Sequence, residues 1–277
     1  MSLVMGAVAS VQLGAAVATT LFDDLGPAGT VLLRTGFAAL ALLLLWRPQI
    51  RGKDPVAVRD AVLFGLALAG MNLSFYAALD RIPLGIAVTL EFTGPFAVAV
   101  AGSRRAADLI WVGLAAAGII LLSPGIHGSL DVTGALLALL AGVFWATYIV
   151  LAARVGQAFS GGQGLTLAMV VATLVLLPSG IIAGGSDLGD PSLLASGLAV
   201  ALLSSAIPYS LELEALRRLP KGTFGVLMSM EPAVAALVGL VALGQDLSAS
   251  EVVAIGLVVA ASAGALSAAG TPSPVEA

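Results

Sequence analysis

The chain has 277 residues, of which 59% are hydrophobic and only 10% are charged. A soluble domain of this length carries about 25% charged residues, so the composition excludes a soluble enzyme or binding module and indicates a polytopic membrane protein. The net charge of −4 arises in short loops and offers no basic surface for nucleic acid, and the absence of cysteine excludes disulfides, thiol catalysis and iron–sulfur clusters.

Ten apolar segments follow one another along the chain, each about 20 residues long, which is the length of a membrane-spanning helix. Clusters of glycine, proline and charged residues separate them. The predicted spans are 3–21, 27–46, 58–78, 83–101, 106–123, 132–152, 163–184, 192–214, 220–243 and 249–268. The first span has no basic region before it, so it is predicted to be a retained helix and not a cleaved signal.

Basic residues are concentrated at alternate ends of these spans. If the N-terminus is cytoplasmic, ten of the twelve Lys and Arg residues lie in cytoplasmic loops and span ends, Arg81 lies outside, and Arg34 lies within the second span. This asymmetry follows the positive-inside rule. Because the number of spans is even, both termini are predicted to be cytoplasmic.

Two of the spans carry an acidic residue within an apolar run. GIAVTLEFTGP (85–95) contains Glu91 and Pro95, and TFGVLMSMEP (223–232) contains Glu231 and Pro232. A charge at the centre of a bilayer costs roughly 2.5–3.5 kcal/mol on insertion scales, so such residues indicate a functional site. Each proline also frees a backbone carbonyl, which is tolerated at membrane depth only inside protein or beside a cavity. The two prolines therefore predict broken helices around a polar cavity.

The chain also contains an internal repeat. Residues 78–102 align without gaps on 215–239, with nine identities in twenty-five positions and a shared pattern A-L-x-R-[IL]-P-x-G. Each half contains five spans, an odd number, so the two copies have opposite orientations in the membrane. This is the inverted repeat of many secondary transporters. The predicted halves are 1–125 and 130–270, followed by a disordered tail at 271–277.

Three motifs resemble a known family. The segments AGMN (69–72), IPLGIAVTLEFTGPFAVAVAGSRR (82–105) and PYSLELEALRRLPKGTFGVLMSMEPA (208–233) are similar to EamA-type members of the drug/metabolite transporter superfamily, and within it to the bacterial threonine and homoserine exporters. The resemblance implies ten helices in two inverted five-helix repeats, a place in the bacterial cytoplasmic membrane, and export of small amino acids or related metabolites by proton exchange. It implies no cofactor and no metal. Fold likeness alone does not identify the solute.

Arg34 lies about two turns inside the second span, too deep to reach the surface easily. A planar guanidinium suits a substrate carboxylate, so we predict a binding role; the alternative is a structural ion pair with Glu91 or Glu231. The two glutamates are predicted to couple protons, with Glu91 also near the substrate, or else to donate interhelical hydrogen bonds. Glu231 falls three residues beyond the repeat equivalent of Glu91, about one helical turn away.

Further polar and aromatic residues are predicted to line the cavity. Asn72 in the third span corresponds to Tyr209 in the eighth, so each half contributes one polar group, and the remaining predicted wall residues are Gln12, Trp145 and Tyr148. For the aromatic residues, helix packing or an interfacial anchor is the alternative.

Four classes of membrane protein fit such a chain, and the residues favour one. An intramembrane enzyme is disfavoured because there is no H-E-x-x-H motif, no Cys and no His within a span. A channel or a scaffold would not require the repeat and the buried charges. The leading hypothesis is a secondary exporter of an amino-acid-like solute, working by proton antiport with alternating access. The alternatives are export of another small metabolite or drug, or facilitated exchange without protons.

Overall fold

The structure is a computed structural model, and it describes residues 2–101, 109–121, 131–208, 211, 215 and 227–269. The described residues form helices and turns and contain no strand. The helices are α1 (Ser2–Thr19), α2 (Phe22–Leu45), α3 (Pro55–Leu79), α4 (Leu84–Glu91), α5 (Thr93–Ala101), α6 (Leu109–Leu121), α7 (Val132–Ala158), α8 (Gln163–Gly184), α9 (Pro191–Ala201), α10 (Glu231–Leu243) and α11 (Ala249–Ala269). A 3₁₀ turn, Gly185–Gly189, follows α8, and a π-helical segment, Leu202–Ala206, continues α9.

Every predicted span contains at least one of these helices. In the described part of the chain, α1, α2, α3, α7 and α8 are long and apolar enough to cross a membrane, and shorter apolar helices lie in the other predicted spans. The fourth predicted span is divided into α4 and α5. The chain is thus an all-helical polytopic membrane protein.

Exposure is distributed as expected for a protein whose solvent is lipid. Large apolar side chains point outward, with Leu44 86% and Ile182 84% exposed. The acidic side chains of Glu91 and Glu231 are buried, at 7% and 5%. Apolar side chains are stable in contact with lipid tails, whereas charged groups are not, so the polar groups lie inside the protein.

The two halves of the chain pack on each other in a regular pattern. The second span packs on the seventh (α2 on α8), the fourth on the ninth (α4 on α10) and the fifth on the tenth (α6 on α11). Other contacts occur in matched pairs. The contact of α3 with α7 is matched by the contact of α9 and the π-helical segment with α1. The contact of α3 with α8 is matched by the contact of α9 with α2. Each of these two contacts of α3 thus has a counterpart made by α9.

Two boundaries of the long helices differ from the prediction by about five residues or more. The second span begins at Phe22 and not at residue 27, and it kinks at Gly26, whose φ of +62° is available to glycine at little cost. Pro27 follows the kink and starts the long part of the helix. α7 continues to Ala158, six residues beyond the predicted end at 152. Hydrophobicity marks only the apolar part of a helix, and the last turns of α7 are polar, with Arg154 on their surface.

Candidate functional site

A cavity of about 260 Å³ lies between helices from both halves. It is lined by Val11, Gln12, Ala15, Arg34, Met71, Asn72, Phe75, Val88, Glu91, Trp145, Tyr148, Ser204, Met228 and Glu231. The predicted substrate and proton residues Gln12, Arg34, Asn72, Glu91, Trp145, Tyr148 and Glu231 are all in this wall. The remaining one, Tyr209, lies outside the described residues.

Arg34 reaches the cavity from α2, two turns after the Gly26 kink. A guanidinium N–H donates a hydrogen bond to the hydroxyl of Tyr76 at 3.0 Å, and the guanidinium carbon lies 5.4 Å from the centroid of the same ring. Within the described part of the chain, no ion pair within 4.0 Å joins Arg34 to Glu91. Tyr76 is fully buried and therefore gives the guanidinium a fixed support.

Glu91 is the last residue of α4, and the helix is interrupted at Phe92 before α5 begins at Thr93. Pro95 has no N–H to donate to the Glu91 carbonyl, so the break begins three residues before the proline. The freed carbonyl oxygen faces α7, where a Cβ on Gly142 would lie 2.7 Å from it. The ring of Trp145 packs edge-on against Phe92 at 5.5 Å. One face of α7 thus supports the break and contributes to the cavity wall.

Glu231 is the first residue of α10, with Pro232 directly after it and a turn at Ser229 and Met230 before it. The ninth span is therefore broken on the N-terminal side of its acid, whereas the fourth span is broken on the C-terminal side of Glu91. The three-residue offset in the repeat places the two acids on opposite sides of their breaks. Glu91 lies within Coulombic range of both Glu231 and Arg34.

The two broken spans pack directly on each other. A Cβ on Gly85 would lie 2.6 Å from the Cα of Ala236, so the backbones of α4 and α10 are nearly in contact. The side-chain oxygen of Gln245, after α10, also accepts a hydrogen bond at 3.0 Å from the Leu84 N–H at the start of α4. Small residues allow such close packing within a membrane.

The rest of the wall is polar at a few defined points. The side-chain amide of Asn72 donates to the Leu68 carbonyl at 2.8 Å, a bond within α3, and the ring of Tyr148 packs on Phe64 at 5.0 Å. Gln12 on α1 and Ser204 in the π-helical segment are buried, at 2% and 4% exposure.

Two polar residues at the site, Tyr76 and Ser204, were not among the predicted site residues, although sequence signals for both exist. Tyr76 lies four residues after Asn72 and so on the same face of α3, next to the cavity. Ser204 lies four residues before Pro208, which has no N–H for the Ser204 carbonyl, and a disturbed helix is expected there. π-helical turns of this kind are frequent at functional sites.

Known proteins resemble this chain over most of its length. The model of the EamA-like transporter family matches residues 132–267. The threonine/homoserine exporter RhtA of Salmonella typhimurium strain LT2 is 46% identical over 261 residues, which cover 93% of this chain and 88% of the relative. RhtA of Escherichia coli K12 is 45% identical over the same lengths.

Two further matches are more distant. The uncharacterized inner membrane transporter YedA of Escherichia coli K12 is 31% identical over 243 residues, covering 84% of this chain and 78% of that protein. One solved structure, described only as the crystal structure of a protein, is 19% identical and superposes with a TM-score of 0.62 over 95% of each chain. The identity and coverage of the exporters show the family, and the chain is a transport protein of the EamA-like transporter family, related over nearly its whole length to threonine/homoserine exporters.

Proposed function

We propose that this chain is a secondary transporter that exports small amino acids of the threonine and homoserine class across the bacterial cytoplasmic membrane in exchange for protons. One observation carries the proposal: a cavity between apolar helices has one guanidinium and two carboxyl groups among the residues of its wall. The names of the relatives at 45–46% identity supply the solute class.

The charges of the cavity complement an amino acid. A zwitterion presents a carboxylate and an ammonium group, and the fork of Arg34 matches the carboxylate. Glu91, which also lines the cavity, is a suitable partner for the ammonium group. The volume of about 260 Å³ falls below the roughly 300–1,000 Å³ of pockets for drug-sized ligands, which favours an amino acid over a drug.

Proton coupling is assigned to Glu231. Its carboxyl group lies at the N-terminus of α10, where the helix dipole favours a negative charge. Protonation removes that interaction, so the position of α10 relative to its break depends on whether Glu231 carries a proton. This dependence is what an antiporter requires, because the two ligands must favour different conformations.

Alternating access is assigned to movement of the two halves around the cavity, with both termini cytoplasmic. The matched contacts between spans five positions apart support two related five-helix units, and the excess of Lys and Arg on one side supports the orientation. A tag at each terminus, tested for protease access in right-side-out and inside-out vesicles, checks the orientation.

The function is tested by uptake into inside-out vesicles with an acidic lumen and a panel of amino acids. The expected result is accumulation of L-threonine or L-homoserine that a protonophore abolishes. Uptake that ignores the pH gradient would indicate a facilitative exchanger. Uptake of none of the amino acids, by protein that is present in the membrane, would reject the proposed substrate class.

A further inference from the structure

Two neutral polar residues that line the central cavity each carry a buried side-chain oxygen that lacks a hydrogen-bond partner. These are Oε1 of Gln12 and Oγ of Ser204, and both residues are more than nine-tenths buried. Among the described residues, one other buried side-chain oxygen or nitrogen lacks a partner, Oγ of Ser262, and that residue is not in the cavity wall. Buried polar atoms are normally bonded, so two unpaired ones beside one cavity require an explanation.

The local structure holds Ser204 in this position. The Oγ of Ser10 on α1 donates to the carbonyl of Leu203 at 2.7 Å, which ties the π-helical segment to α1. Gly14 lies directly against Ser204, and a Cβ at that position would overlap the Ser204 hydroxyl. Two contacts from α1 thus hold the π-helical segment that carries Ser204, in a conformation that a regular helix would not give it.

We propose that Gln12 and Ser204 form the subsite that binds the side-chain hydroxyl group of the transported amino acid. The chemistry is complementary: a carboxamide oxygen accepts only, a serine hydroxyl donates or accepts, and a substrate hydroxyl both donates and accepts. A substrate O–H therefore donates to Gln12 while its oxygen accepts from Ser204. This inference rests on the proposed function and adds the group by which substrates are distinguished.

The charged residues of the cavity cannot make this distinction, because every α-amino acid carries the same carboxylate and ammonium groups. The neutral pair acts on the part of the substrate that varies. Threonine and homoserine differ in the position of the hydroxyl, and removal of it from either one gives the same compound, L-2-aminobutyrate. An analogue without the hydroxyl leaves the two polar atoms unpaired, and a site built for a hydroxyl rejects such an analogue strongly.

The test measures the export of L-homoserine, L-threonine and L-2-aminobutyrate by the wild-type chain and by Gln12→Leu, Ser204→Ala and Ser262→Ala. The wild-type chain is expected to prefer the hydroxylated substrates by at least about tenfold in kcat/KM, the value of one well-made hydrogen bond. Gln12→Leu and Ser204→Ala should move this ratio towards one and raise the rate on 2-aminobutyrate. Ser262→Ala is the matched control, since it removes an equally buried unpaired hydroxyl outside the cavity, and it should keep the wild-type ratio.

A gain of 2-aminobutyrate export cannot result from poor folding, so this readout separates recognition from stability. Ser204→Thr, which retains a hydroxyl, should keep the preference. A wild-type chain without preference, or variants that keep the wild-type ratio, would overturn the inference while leaving amino-acid export intact. If the wild-type chain exports none of the three compounds, the proposed function itself fails.

Discussion

Arg34 and Tyr76 are joined in two ways, by a hydrogen bond of 3.0 Å to the phenol hydroxyl and by a distance of 5.4 Å from the guanidinium carbon to the ring centroid. The contact connects α2 to α3 at the wall of the cavity. A guanidinium has five N–H donors, and Tyr76 accepts from one of them. The tyrosine therefore orients the arginine and leaves its fork suited to a bidentate ligand.

The first prediction concerns Arg34. Arg34→Lys keeps the charge but loses the planar fork, so export should fall by about tenfold or more, and Arg34→Ala should abolish it. Initial rates in vesicles with matched protein abundance provide the measurement. Wild-type export by an alanine variant that inserts normally would show that Arg34 does not bind substrate.

The second prediction concerns Tyr76. Tyr76→Phe keeps the ring beneath the guanidinium and removes the hydroxyl acceptor, so Arg34 is held less firmly. We expect KM to rise by about tenfold with protein abundance unchanged, because a hydrogen bond from a charged group contributes about 1.5–3 kcal/mol. An unchanged KM would mean that the ring alone orients Arg34.

The membrane class, the broken fourth and ninth spans and the charged residues of the cavity wall were predictable from the sequence. Charged residues and prolines are costly within a bilayer, so Arg34, Glu91 and Glu231 can be recognised in the sequence alone. The support of Arg34 by Tyr76 was not predictable, since an aromatic residue within a span usually serves in packing. The placement of the two acids on opposite sides of their helix breaks was not predictable either. The alignment of the repeats gives the offset between the acids along the helix, but it does not give the residue at which each helix is interrupted.

The third prediction concerns the contact between α7 and the α4–α5 break. Gly142→Ala would place a Cβ 2.7 Å from the Glu91 carbonyl oxygen, and backbone cannot move as freely as a side chain. We expect a loss of about 1–3 kcal/mol in stability and slower export. Gly156→Ala is the control on the same helix, where a Cβ would have no atom within 4 Å and no loss is expected. Thermal unfolding of the two purified variants measures the change in stability, and initial export rates in vesicles measure the change in transport. Equal melting temperatures of the two variants would contradict the contact.

The fourth prediction concerns Asp131, which caps the N-terminus of α7. Its carboxylate accepts a hydrogen bond from the Gly134 N–H at 2.8 Å and lies 3.4 Å from Arg81. The Gly134 bond first, and then the charge of Arg81, hold the pKa of Asp131 below its ordinary value. A lowered pKa means that the ionised form stabilises the folded protein, so the contribution is complete above about pH 4 and is lost as the pH falls through the folded-state pKa.

Asp131→Ala should therefore lower the melting temperature near pH 7, and the difference from the wild-type chain should shrink near pH 3. Asp131→Asn retains a capping side chain, so it should lose less than the alanine variant. A difference that stays constant over this pH range would show that the carboxylate charge does not contribute.

The fifth prediction concerns proton coupling and separates the two buried acids. Glu231→Gln imitates the protonated form of the glutamate, so the side chain at the start of α10 is always uncharged. This variant should still exchange L-homoserine between the two sides of a vesicle, but it should lose accumulation driven by an acidic lumen, because no proton can be released. Glu91→Gln should instead weaken binding, seen as a raised KM, and retain the response to the gradient. Parallel counterflow and gradient-driven uptake assays measure the two properties separately. Loss of the gradient response in Glu91→Gln alone would reverse the assignment, and its retention in both variants would show that neither glutamate carries the proton.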